Sequence, residues 1–182
     1  ISLLTKHLKQ QNLDAFLVTS AANVSWLLNL RSNALPYSPL LRAYALVEKN
    51  GNYKIFAEHT DYAGSLSFDN LKKILPQYQN IGADYTTAPA ILKDINDKIK
   101  QCADIITDLK AVKNSTELKG IRNAHLRDGV ALTKFMFWLS KNYKGKTETD
   151  IAEKLLSFRK KELNFFSESF ATIAGFSKNA AV

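Results

Sequence analysis

The chain has 182 residues, 46% hydrophobic and 23% charged, enough for one or two domains with a real core and with no apolar run near the roughly 20 residues of a membrane span. A single cysteine, Cys102, excludes an internal disulfide and a cysteine-rich zinc site, and the opening ISLLTKHLKQQ lacks the layout of an export signal, so a cytoplasmic protein is expected. The net charge of +8 comes from 25 basic residues, 20 of them lysines placed singly or in pairs, with no basic run of five; it reads as a solvated surface, and no nucleic-acid partner is expected.

In chain order, Leu3, Leu4, Leu8 and Leu13 predict a short amphipathic helix ending near Asn12. DAFLVTS (14–20) is a compact apolar run suited to a buried strand, and Ser20 is placed to cap a short helix over AANVSWLLNL. Pro36 and Pro39 break the next stretch into a loop. Two strands, about 43–48 and 53–57, flank Asn50-Gly51, a strong hairpin signal. A helix is expected from about 60 to 67, a strand at NIGADY (80–85), an amphipathic helix over 88–102 and a short strand at DIITD (104–108). Strands alternating with helices predict a mixed α/β layer fold.

The character changes after Lys110. Asn114 with Glu117 marks the start of a long helix whose Leu118, Ile121, Leu132, Phe135 and Leu139 fall near one face. Thr147 with Asp150 starts a second, striped by Ile151, Leu155 and Phe158. From Phe165 to Ala174 the pattern reads as strand. The expected organisation is therefore one unit over 1–107 and a second over 108–182. Two helices and a strand leave faces uncovered, so the second unit is expected to be incomplete.

The search for chemistry yields little. His7 lies between lysines on a helix and reads as a surface residue; Glu58, His59 and Asp61 are metal-capable types, but neighbours on an extended chain point to opposite faces. His125 and Asp128 share a helix face, most simply as a stabilising pair. Cys102 reads as a small buried filler, and Trp26 and Trp138 fit apolar stripes. HExxH, GxSxG and phosphate-loop motifs are absent.

Three segments nevertheless carry a resemblance, in matching order and spacing. AANVSWLLNLRSNALPYSPLLRAYALV (21–47) resembles the middle domain of three-domain aminopeptidase P. KAVKNSTELKGIRNAHLRDGVALTKFMFWL (110–139) resembles the linker and first helix of its catalytic domain, and SESFATIAGFSKNAA (167–181) the strand-and-turn segment that follows. The resemblance implies a creatinase-like N-terminal-type domain followed by the first portion of a "pita-bread" α+β catalytic domain. It implies a metal-dependent exopeptidase that releases the N-terminal residue preceding proline from peptide substrates, with a homodimer as the expected assembly. Two divalent ions, usually manganese, are held in that family by two aspartates, a histidine and two glutamates; a metal-bridging hydroxide attacks the carbonyl. All five ligand positions are expected beyond Val182, so the resemblance implies no metal or catalytic residue on this chain and no activity from it alone. Phe170 stands where family members place an aromatic residue at the substrate pocket. Ala171, Ala174, Ser177 and Lys178 replace the family's Asp, Ser, Gly and Pro. The alternative is a non-catalytic relative: the same architecture occurs in a histone-chaperone subunit that has lost its ligands and binds protein partners. Xaa-Pro dipeptidase and creatinase relatives are a third possibility.

Overall fold

The computed structural model describes residues 1–58, 62 and 64–180. They form two compact units, Ile1–Val112 and Lys113–Val182.

The first unit is built on a five-stranded mixed sheet in the order β3-β2-β1-β4-β5. Its strands are β1 (Ala15–Val18), β2 (Ala43–Glu48), β3 (Tyr53–Ala57), β4 (Ile81–Ala83) and β5 (Ile99–Gln101). β2 is antiparallel to both β1 and β3, whereas β1, β4 and β5 run parallel. Central strand β1 is apolar throughout because both of its faces are covered. Phe16 and Val18 enter one core with Leu4 and Leu8 of α1 (Ser2–Gln10), Val24 of α2 (Ala21–Leu28) and Ile106 of α5 (Ile105–Ala111). Ala15 and Leu17 enter the other, with Leu71 of α3 (Leu71–Ile74), Leu75, and Leu92 of α4 (Ile91–Ile95). The result is three layers, and the α/β reading of the sequence holds.

Local signals explain most of these elements. Ser20 accepts a bond from the Asn23 backbone N–H and starts α2. Gly51 takes φ +95°, closing the hairpin between β2 and β3. A Cβ on Gly82 would stand 2.8 Å from Leu13 Cδ1 and 2.9 Å from Phe16 Cδ2, so close packing on β4 requires glycine there.

Three expectations for this unit are corrected. Residues 60, 61 and 63 of the helix expected over 60–67 lie outside the described residues; Tyr62 and 64–67 form no helix, and Leu66 bridges Phe56. Helical turns begin instead at Phe68. The helix expected over 88–102 is shortened to α4, because the Asn96 amide donates to the Leu75 carbonyl at 2.8 Å while its oxygen accepts from the Lys98 N–H at 2.9 Å. That turns the chain into β5. The strand expected at 104–108 is the start of helix α5, capped by Asp104, whose carboxylate accepts from the Ile106 N–H at 2.9 Å. Helix α5 packs with α2 in the first unit.

The second unit consists of α6 (Ser115–Asn142), α7 (Glu148–Arg159) and the segment after them. Both helices open with reciprocal capping boxes, Asn114 with Glu117 and Thr147 with Asp150. Ala131, Phe135 and Leu155 are its buried apolar residues. The strand expected from Phe165 to Ala174 is irregular chain. A strand needs a partner for its N–H and C=O groups, and none pairs with this segment among the described residues.

Candidate functional site

The segment that carries Phe170 begins where α7 ends. Arg159, in the last turn of α7, spreads its guanidinium between two carboxylates. Its Nε and Nη2 donate to Asp128 of α6 at 2.7 and 3.3 Å, and its Nη1 donates to Glu168 at 3.2 Å. The bonds to Asp128 first, and the bond to Glu168 after them, hold the guanidinium charged and raise its pKa. The planar fork of arginine suits this geometry, and lysine does not reproduce it. Glu168 also accepts from Thr172 Oγ1 at 3.1 Å. Phe170, between these two, is 65% exposed.

The far end of the segment returns to the opposite end of α7. The Phe176 N–H donates to Glu148 Oε1 at 2.6 Å, and the Asn179 amide donates to both Glu148 oxygens at 3.3 and 3.2 Å. The chain then closes in a short 3-10 turn, Ser177–Ala180. Gly175 is required at its entrance, since a Cβ there would stand 2.9 Å from the Asn179 carbonyl oxygen. Ser177 adopts φ +55°, the left-handed region that favours glycine. A serine held there carries some local strain.

A cavity of about 470 Å³ opens between α6, the end of α7 and this segment, lined by His125, Arg127, Asp128, Arg159 and Glu168 among others. His125 and Asp128 share it, but the Asp128 carboxylate is taken by Arg159 and not by the histidine expected from sequence. Arg159, Glu168 and Glu148 were not legible as site residues. Their partners lie as far as 31 positions away, and no local pattern marks them.

In the first unit, the sheet topology brings the C-terminal ends of β1 and β4 together. Thr19 and Thr87 share a hydroxyl bond there at 2.7 Å. Behind it lies a buried polar cluster: the Asn23 amide donates to Asp104 at 2.8 Å and to Thr107 at 2.9 Å, and accepts from Lys110. Burial pushes the Asp104 carboxyl above the ordinary aspartate range, with the nearby Asp84 charge adding to the effect and the Asn23 and Ile106 bonds opposing it. Every polar side-chain atom buried here has a partner, as a structural fastener between α2 and α5 requires.

Other candidate residues carry structural duties. His7 is half-buried on α1. Glu58 accepts the Phe68 N–H at 2.7 Å, while His59 and Asp61 lie outside the described residues. Cys102 is half-buried against the core, and burial, then Asp104 and Asp84, raise its thiol pKa. Among the described residues no three His, Cys, Asp or Glu side chains come together so as to hold a metal ion. The donors present therefore do not fit a two-metal centre. Among the same residues, no helix is long and apolar enough to cross a membrane.

Comparison with known proteins gives this geometry a family. Residues 1–117 match the creatinase/prolidase N-terminal domain, and residues 119–182 match metallopeptidase family M24. A probable Xaa-Pro aminopeptidase P of Ajellomyces capsulatus is 30% identical over the whole chain, which covers 34% of that relative. Its counterpart in Ajellomyces dermatitidis is 31% identical, with 35% of the relative covered. The chain thus spans about a third of the length of the curated relatives it matches. Among solved structures, the X-prolyl aminopeptidase of Caenorhabditis elegans, described as a cytosolic enzyme with a di-nuclear active site, aligns with a TM-score of 0.82 at 26% identity. That alignment covers 93% of this chain and 32% of the other. The prolidase of Pyrococcus furiosus shares the fold at a TM-score of 0.64 and 20% identity, over 85% of this chain and 50% of its own. The chain belongs to the creatinase/prolidase N-terminal domain family, continued by a segment of metallopeptidase family M24.

Proposed function

We propose that the full-length protein is a metal-dependent aminopeptidase that releases the N-terminal residue preceding proline from peptides. The observation that carries this reading is the alignment of 93% of the chain with an X-prolyl aminopeptidase at a TM-score of 0.82. Whole-chain identity of 30% to relatives named Xaa-Pro aminopeptidase P supports it. In this reading the first unit is the creatinase-like middle domain, and the second is the opening portion of a pita-bread catalytic domain.

The 182 residues supply scaffold and one wall of the substrate pocket. Phe170, exposed on the segment strung between the two ends of α7, is the aromatic that faces the peptide. Two divalent ions, manganese by preference, are held by residues elsewhere in the full-length protein; the di-nuclear site of the worm enzyme supports their number. The chain alone is inactive in this reading. The full-length protein works in the cytoplasm, as the worm relative does, and assembles as a homodimer.

The test is a peptide panel offered to the full-length protein. Release of the first residue from Arg-Pro-Pro, and none from Arg-Ala-Pro, is the expected pattern. Equal cleavage of both, or of dipeptides only, would move the assignment to another branch of the family.

A further inference from the structure

The bonds around α7 say more about Phe170 than its exposure does. An exposed aromatic on irregular chain has no sheet to fix it, and a substrate wall must be held in place to select anything. The chain between Glu168 and Phe176 makes no strand pairing among the described residues, so its course is set by its two moorings. One is the Arg159–Glu168–Thr172 chain of bonds, at 3.2 and 3.1 Å. The other is Glu148, which receives Phe176 and Asn179. The first flanks Phe170 on both sides, since Glu168 and Thr172 each stand two positions from it. Arg159 is in turn fixed by the two bonds to Asp128 on α6. The Glu168 side chain is 11% exposed and that of Arg159 24%, so water screens this pair less than a surface one.

We propose that Glu168, held by Arg159, is a positioning residue that fixes Phe170 against the peptide substrate. The proposal rests on the reading of Phe170 as part of the substrate pocket. Glu168 touches no substrate itself; it acts by limiting where the turn after it can go. Loss of the carboxylate frees the segment and weakens substrate binding, while the reacting groups elsewhere stay in place. The kinetic signature is a raised KM with kcat nearly unchanged.

The experiment is a double-mutant cycle in the full-length protein with an Arg-Pro-Pro-type peptide, read together with hydrogen exchange over residues 167–176. Glu168→Ala is expected to raise KM about tenfold with kcat within about twofold, a loss of uniform binding. Phe170→Ala is expected to raise it comparably, and the pair together no more than the larger single effect, since one acts through the other. Thr172→Ala, which removes one bond and keeps the ion pair, moves KM in the same direction by less and guards against misfolding of the first variant. Exchange in 167–176 rises in Glu168→Ala while the α6 amides stay protected. Additive effects of Glu168→Ala and Phe170→Ala would overturn the positioning role and leave the Phe170 reading intact. A silent Phe170→Ala would overturn the pocket reading and the proposal with it. Should the protein turn over no such peptide, unchanged exchange in Glu168→Ala still refutes the tether.

Discussion

The polar fastener between α2 and α5 gives the sharpest stability prediction. Asn23 is 2% exposed and Asp104 6%, and the Asn23 side chain makes three bonds: to Asp104, to Thr107 and from Lys110. Asn23→Ala deletes all three and leaves the Asp104 carboxylate with one fewer donor. A hydrogen bond to a charged group contributes about 2 kcal/mol net and a neutral one about 1. Alanine returns about 0.5 kcal/mol of helix propensity within α2. The expected loss is therefore about 2.5 kcal/mol, with the Lys110 bond adding little because lysine regains water. With a urea slope of about 2 kcal/mol/M, that is a midpoint lowered by about 1 M. Trp26 lies on α2 against the same core and reports it directly. Unfolding followed by its fluorescence, in a Trp138→Phe background that silences α6, is the measurement. A loss below about 0.5 kcal/mol, the range of ordinary surface substitutions, would refute the view that these bonds fasten the two helices.

Three further outcomes follow from the same structure. Asp104 has a folded pKa raised chiefly by burial, so its contribution to stability is present below its ordinary value, about pH 4, and is lost as pH rises through the folded value. Asp104→Asn keeps the cap, so urea midpoints should show the variant gaining on the wild type across that window; a pH-independent difference would contradict it. Gly82→Ala places a methyl 2.8 Å from Leu13 and 2.9 Å from Phe16 and should cost about 1–3 kcal/mol, the range for overpacked cores, read by the same Trp26 transition. Ser177→Gly relieves a φ of +55° and should stabilise the closing turn by about 1 kcal/mol, seen as slower hydrogen exchange at Phe176–Ala180; faster exchange would contradict it.

What could be read from sequence was what neighbouring residues decide. The Asn114–Glu117 and Thr147–Asp150 boxes and the Asn50-Gly51 turn need only three or four adjacent positions. β1 announced itself because a strand buried on both faces must be apolar throughout. Where distant partners decide, the reading failed. Ile91, Leu92, Ile95 and Ile99 have helical spacing, yet Asn96 finds the Leu75 carbonyl and ends the helix early. Asp104-Ile105-Ile106 looked like a strand because its β-branched run is short; the capping aspartate was the overlooked signal. The pattern from Phe165 to Ala174 suggested a strand, but a strand also needs a partner, which a local pattern does not supply. Phe170 came into view only through the resemblance, and the Arg159–Glu168 mooring beside it only through the fold.

The central claim is that the 182 residues position a substrate while the metal chemistry resides in the rest of the protein. It is tested most directly by assaying the 182-residue chain and the full-length protein side by side, with an Arg-Pro-Pro-type peptide and added manganese, and by counting bound metal in each. The account predicts two ions per subunit and release of the first residue for the full-length protein, and neither for the shorter chain. Turnover by the 182-residue chain, freed of contaminating peptidase, would contradict the placement of the chemistry. A full-length protein that binds no metal and cleaves no Xaa-Pro peptide would contradict the enzyme itself.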